Sequence, residues 1–335
     1  MSLQSPAPHP NPLPASGARE FPENGPRAFP LPVGRGEGQG EGQATATRAS
    51  ARPVWGVLTG PYALFLLCLL IVPFANVALY SVHPYSPTHI VLPEFTWDNY
   101  RKILDLYYLR LFARTLQLGL VTTIICALLG YPLAYWLARA RPRMQTIGLF
   151  LVIMPLMVST VIRIFGWIVI LGRKGLINEA LIGLGLAPLK LLYTETAVVI
   201  GLVNIFMPFM VLPLMSAIER IPPSLEEAAR NLGANWLQMF RRTILPLSLP
   251  GLISGSLLVY SVSISAFVTP ALMGSPRERM AGQQIYDEVL VSFNWPSASS
   301  LALTLVLFTL LLMFAALFAT RRAGRIEPGS RETSP

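Results

Sequence analysis

Charge is scarce in this chain: Asp, Glu, Lys and Arg make up 13% of 335 residues, against 53% hydrophobic, and the mean hydropathy is +0.53. So few charges cannot cover the surface of water-soluble domains, which excludes an ordinary soluble enzyme. Cysteine is scarcer still. Cys68 and Cys126 both lie inside apolar runs, so neither a disulfide framework nor a cysteine-rich metal site is possible. Of three histidines, His9 sits in a tail, while His83 and His89 share one connection without a third metal ligand and read as exposed loop residues. No Gly-x4-Gly-Lys-Ser/Thr phosphate loop exists, since Gly172-Arg-Lys-Gly175 has the wrong spacing. The apolar runs also contain no Asp, Glu or His to serve as the relay of a proton-coupled secondary transporter. No catalytic residue, metal or cofactor is expected.

What is present divides by composition. Residues 1–52 carry alternating prolines from Pro6 to Pro14 and a glycine ladder at Gly34, Gly36, Gly38, Gly40 and Gly42. Too little apolar area is available there to offset the entropy of ordering, so the segment reads as a disordered tail. A signal peptide would place its apolar core near the start, and here the whole polar tail comes first; the first span is expected to stay attached. Residues 53–322 hold six apolar stretches, at 57–82, 115–138, 145–172, 196–218, 247–270 and 299–320, and residues 323–335 form a second tail. About 20 helical residues cross a hydrocarbon core of ~30 Å, so each stretch is long enough to span. Lacking strand alternation, the stretches must satisfy their own backbone as helices, and Pro73, Pro132, Pro155 and Pro208 are expected to kink or open them locally. The expected fold class is an all-α membrane protein with six transmembrane helices.

Orientation follows from the basic residues. With the N-terminus inside, the tail holds five arginines, residues 139–144 three, residues 219–246 four and the residues after the last span, 321–335, four, against eight Lys and Arg in the opposite loops. That asymmetry places both termini of a multi-pass membrane protein in the cytoplasm. It also accounts for the net charge of +9 without a nucleic-acid partner.

The connection 219–246 carries the most information. Ser224 and Glu227 have capping-box spacing at a helix start, and Gly233 supplies the stop. Between them Leu225, Ala228, Ala229 and Leu232 fall at i, i+3, i+4 and i+7, an apolar face narrowed by two alanines. A second short helix is expected from about Asn235 to Thr243, leading to Leu245-Pro246. A helix of two turns is marginal in water unless it docks. Two docks are open to it on periodicity alone: the groove of a partner protein, or the chain's own membrane domain.

The string Glu227-Ala228-Ala229, then Gly233 after three residues, then Leu245-Pro246, resembles the EAA loop of permease subunits in binding-protein-dependent, type I ABC importers. Thr243 stands at the usual Ile position of that pattern, the one departure. The resemblance covers roughly residues 55–322. Within the family, Phe95-Thr-Trp-Asp-Asn-Tyr100, Arg163-Ile-Phe-Gly-Trp167, Gly172-Arg-Lys-Gly-Leu-Ile-Asn178, Phe267-Val-Thr-Pro-Ala-Leu-Met-Gly274 and Asn294-Trp-Pro296 are most similar to the spermidine/putrescine branch. Permeases for iron, opines and other small solutes share much of this wording. The resemblance implies a cytoplasmic coupling helix seated in a separate ATPase dimer, a second permease subunit, an extracytoplasmic solute-binding protein, and no ATP hydrolysis by this chain.

Candidates for the solute path come from polarity inside the spans. Arg163, the one formal charge there, lies about nine residues from the outer end of span three, ~14 Å deep in a straight helix. It is either a pathway residue or a structural cation. In span five Ser256, Tyr260, Ser263 and Phe267 form one stripe, and Ser254, Ser261 and Ser265 another; helix packing is the alternative use of each serine. Tyr260 marks the favoured path face because its ring attracts organic cations. Asn204 in span four is a second candidate. Asp287 and Glu288 lie in the last outer loop, where a solute would enter, or simply on a solvated helix face.

Overall fold

Leu-, Ile- and Val-rich runs without alternation leave the backbone to close its own hydrogen bonds, and helix is the result throughout. The computed structural model describes residues 54–86, 94–275 and 279–323, and no strand occurs among them. The tail 1–52, His9, His89 and the C-terminal tail beyond Ala323 lie outside the described residues.

In chain order the elements are α1 (Val54–Ser81), α2 (Asp98–Ile103), α3 (Leu106–Arg139), α4 (Pro142–Met157), α5 (Thr160–Leu171), α6 (Leu176–Gly183), α7 (Glu195–Glu219), α8 (Pro223–Asn231), α9 (Trp236–Met239), a π turn (Phe240–Ile244), α10 (Leu245–Ile264), α11 (Val268–Met273), α12 (Ala281–Leu290) and α13 (Trp295–Ala323). Among the described residues five helices are long and apolar enough to cross a membrane, or six if one bent pair counts as a span. Pro73, Pro132, Pro155 and Pro208 all lie within helices.

Within the unit that runs from Thr59 onward, α7 is the centre, with 67% of its apolar window buried. It packs along α3 and α10 through Leu118, Cys126, Leu202, Phe206, Met210 and Val259. A second cluster, Tyr131, Ala134, Leu137, Val211, Leu214 and Ile218, fills the end of the bundle that carries residues 219–246. None of the α1 window is buried, so that helix presents apolar residues on all sides.

The interruption expected at Pro155 in span three is present, and it is a sharp one: α4 and the α5–α6 segment meet at a bend of 97°. Pro155 cannot donate its share of the helical ladder, Val158 bonds back only to the Pro155 carbonyl, and Val158 and Ser159 are extended. Three expectations are corrected. The ~14 Å depth inferred for Arg163 assumed a straight rise and fails with the bend. Span five ends at Ile264 instead of residue 270; Pro270 falls in the first turn of α11, where its missing N–H costs nothing. The segment 235–243 is not a separate helix either. It runs into α10 through the π turn, in which the Leu245 N–H bonds to the Phe240 carbonyl five residues back. That widened turn stands just before Pro246, which would otherwise crowd the carbonyl four residues earlier.

Candidate functional site

The motif helix α8 starts differently from the sequence expectation. Pro222 occupies the N-cap and Pro223 the first helical position, so the pre-set φ of proline begins the helix and Ser224 makes no capping bond. The Ser224–Glu227 box does not form. A capping box does form at the start of α9, where the Asn235 side chain accepts from the Gln238 N–H and the Gln238 side chain from the Asn235 N–H. The stop is as expected: Gly233 has φ +81°, its N–H bonds to the Arg230 carbonyl at 2.9 Å, and the Ala234 N–H reaches the Ala229 carbonyl at 3.1 Å. This paired closure needs a left-handed residue at Gly233.

The apolar face splits in two. Ala229 turns inward onto a small cluster of Ile221, Met239 and Ile244. Leu225, Ala228 and Leu232 remain outside, Leu232 at 88% exposure, and Glu227 is exposed beside them. Leu225 also stands at the rim of a cavity of about 520 Å³ between α7 and α10.

What sequence reasoning missed is the contact on the other side. Glu226 is the buried residue of α8, 8% exposed. Its Oε1 accepts from Arg139 Nε at 2.8 Å and forms an ion pair with Nη2 at 2.7 Å; its Oε2 accepts from the Tyr135 hydroxyl at 2.9 Å. The Arg139 Nη2 donates as well to the Ile221 carbonyl at 2.9 Å. Both partners come from the last turns of α3. Neighbouring Gln145 of α4 donates to Glu219 at the end of α7.

The span residues are less unified than their spacing implied. Ser256 and Tyr260 line a groove of about 740 Å³ among α3, α10 and α13, together with Gln117, Thr123 and Thr309. Ser261, from the other stripe, lines it too, while Ser254 opens on the cavity near α8. Ser263 is fully buried and Phe267 lies beyond the end of α10, stacked on Tyr286 with ring centroids 5.0 Å apart. Neither continues the stripe. Asn204 is half-buried in α7. Arg163 is half-buried in the first turn of α5, and its Nε and Nη1 are enclosed without a hydrogen-bond partner among the described residues.

At the opposite end from α8, Arg110, Arg114 and Arg279 line a cavity of about 630 Å³ with Tyr107, Gln117 and Glu195. Arg114 pairs with Glu195 at 2.8 Å, and Arg279 with Asp287 at 3.0 Å. Asp287 and Glu288 sit on α12, where Glu288 accepts from Gln284. His83 is half-buried, not exposed, with its ring edge-on to Phe95 at 5.1 Å. Among the described residues no group of three His, Cys, Asp or Glu side chains is placed to hold a metal.

Residues 130–325 match the family of binding-protein-dependent transport system inner membrane components. The spermidine/putrescine transport system permease protein PotB of Haemophilus influenzae is 38% identical over 252 residues, covering 75% of this chain and 88% of the relative. PotB of Escherichia coli K12 is 41% identical over 224 residues, 66% of this chain and 82% of the relative. The molybdenum transport system permease protein ModB of Azotobacter vinelandii is 32% identical, covering 65% of this chain and 95% of its own. Among solved structures, a bacterial alginate ABC transporter in complex with an alginate pentasaccharide-bound periplasmic protein aligns with a TM-score of 0.65 at 18% identity, over 81% of this chain and 98% of that one. The MetNI methionine ABC transporter in an inward-facing form aligns with a TM-score of 0.51 at 19% identity, over 66% of this chain and 97% of the other. At such identities these two neighbours establish the fold.

Proposed function

The chain belongs to the family of binding-protein-dependent transport system inner membrane components, and from that premise we propose that it is one permease of an ATP-driven importer whose cargo is a polyamine of the spermidine/putrescine class. As a membrane component of a transporter it is not the subunit that hydrolyses ATP. Its partners in this reading are an ATPase dimer, a second permease, and a solute-binding protein on the far side of the bilayer. Residues 219–246 and both tails lie in the cytoplasm, with residues 1–52 and 323–335 flanking the membrane domain 53–322; the arginine-rich connections support that side.

The observation that carries the coupling role is the two-sidedness of α8. Its inner side is fastened to the bundle through Glu226 and Ala229, while Ala228, Leu232 and Glu227 are exposed and Leu225 stands between the two sides, at the rim of the α7–α10 cavity. A nine-residue helix held on one side with apolar residues on the other suits insertion into a groove of a partner. Of the two docks open at the level of periodicity, the partner protein is therefore the better supported. ATP closes the ATPase dimer, the seated helix moves with it, and the permeases switch access; the switch requires ATP to favour one state over the other.

Ser256 and Tyr260 are the path residues in this reading, with the Tyr260 ring offering its face to an organic cation. The test is copurification with the cognate ATPase and binding protein, followed by solute-stimulated ATP hydrolysis in liposomes. Stimulation by spermidine or putrescine is expected. Stimulation only by iron, an opine or molybdate overturns the cargo and leaves the permease role, whereas failure to capture any ATPase overturns both.

A further inference from the structure

α8 is fastened to the end of α3 by a polar cluster in which both carboxylate oxygens of Glu226 accept from side chains of α3. We infer that the Arg139–Glu226–Tyr135 cluster is the joint through which displacement of α8 drives α3, and that it thereby sets how much transport each ATP yields. The inference rests on the coupling role proposed above for α8.

The geometry favours a joint over a patch of packing. Apolar contact is non-directional and can slide, whereas three polar contacts on one carboxylate fix both position and angle. Arg139 adds a second anchor, because the same Nη2 that meets Glu226 also holds the Ile221 carbonyl, two residues before α8 begins. The helix is thus gripped at its entrance and within its body by one guanidinium. The pair is largely withdrawn from solvent, with side-chain exposures of 20% for Arg139 and 10% for Glu226, so salt screens it less than an exposed pair. The other connection of α8, toward α9 and α10, passes through Gly233 in a left-handed turn.

The driven element is equally specific. α3 has 34 residues, which at 1.5 Å per residue gives a rod of about 50 Å. Its last turns hold the joint, Gln117 and Thr123 line the groove that contains Ser256 and Tyr260, and Arg110 and Arg114 line the cavity at the far end. One continuous helix therefore touches the motor side, the candidate path and the opposite mouth. Arg139 and Tyr135 are positioning residues: they act through α8 and α3, not on the solute.

The assembled complex in proteoliposomes tests this, with solute uptake and ATP hydrolysis measured together. Glu226→Gln, Arg139→Gln and Tyr135→Phe are expected to assemble and hydrolyse ATP while uptake per ATP falls, by about five- to a hundredfold for the two charged positions, the range of ordinary coupling free energies. The exchange Glu226→Arg with Arg139→Glu is expected to restore a large part of it, which a loss of stability alone would not do. Uptake per ATP within about twofold of the unaltered chain in both single charge variants, with ATPase capture intact, overturns the joint and leaves the docking role standing. Should the charge variants not insert, Arg139→Cys with Glu226→Cys, in a Cys68→Ala, Cys126→Ala background, replaces the joint by a short bifunctional thiol linker. Uptake per ATP that is low before linking and rises on linking supports the joint, and an unchanged value overturns it.

Discussion

Gly251 of α10 and Ala217 of α7 lie so close that a Cβ on Gly251 would overlap that of Ala217 and come within 2.9 Å of the Pro213 carbonyl oxygen. The contact lets α10 and α7 pack backbone to backbone near the end that carries α8. Gly251→Ala should therefore force the helices apart and destabilise the chain by about 1–3 kcal/mol. A thermal-unfolding series in detergent measures this, and an unchanged midpoint would refute the close packing.

Leu232 is exposed in this chain at 88% and is assigned to the ATPase groove. Leu232→Asp should alter the stability of the isolated permease by no more than about 0.5 kcal/mol, because it breaks no contact. Capture of the ATPase should fall by about thirtyfold or more if Leu232 is an anchor of the docked face. A thiol at Ala228→Cys should crosslink to the same subunit.

Gly233→Val places a β-branched side chain at φ +81°. The strain of about 1–3 kcal/mol falls on the closing turn of α8 and tilts the helix without touching the spans. Insertion should be normal and ATP hydrolysis should persist, while uptake per ATP drops. Unchanged uptake would remove α8 from the coupling path.

Arg163 keeps two guanidinium nitrogens enclosed without partners among the described residues. Removing an enclosed, unpartnered donor relieves a desolvation cost, so Arg163→Leu should leave the isolated chain as stable as before or more so. Assembly or gating of the complex should suffer nonetheless, because a half-buried cation in a span is held there by more than its own fold. The same solute should still stimulate the complexes that do form; a shift of preference would mark Arg163 as a path residue.

Tyr260→Ala should weaken uptake of an organic cation by about fivefold to thirtyfold at low solute, and Tyr260→Phe much less, since the ring face and not the hydroxyl is used. Concentration dependence of uptake separates the two. Equal loss in both variants would point to the hydroxyl.

The readable parts of this chain were the local ones. Helical spacing from Leu225 to Leu232 and a glycine three residues after the EAA string suffice to place α8 and its left-handed stop, because both depend only on neighbours in sequence. Hydropathy reveals the long apolar helices for the same reason. The bend after α4 was half legible: Pro155 signals an interruption, but a direction of 97° depends on what packs against each half. Phe267 was assigned to the wrong face because helical periodicity was carried past Ile264, where the backbone stops being helical. Glu226 was invisible. Its partner Arg139 stands 87 residues earlier and reads as one more cytoplasmic charge, so nothing short of the folded bundle joins them.

The π turn at Phe240–Ile244 has its own consequence. Such a turn holds one residue more than a regular one and takes up the surplus locally. A single deletion there, for instance of Thr243, would tighten the coil and leave Ser256 and Tyr260 facing the same neighbours, whereas a deletion in α10 ahead of Ser256 would swing them by about 100°. Loop length and groove lining can thus vary independently, with this short stretch serving as the slack between them.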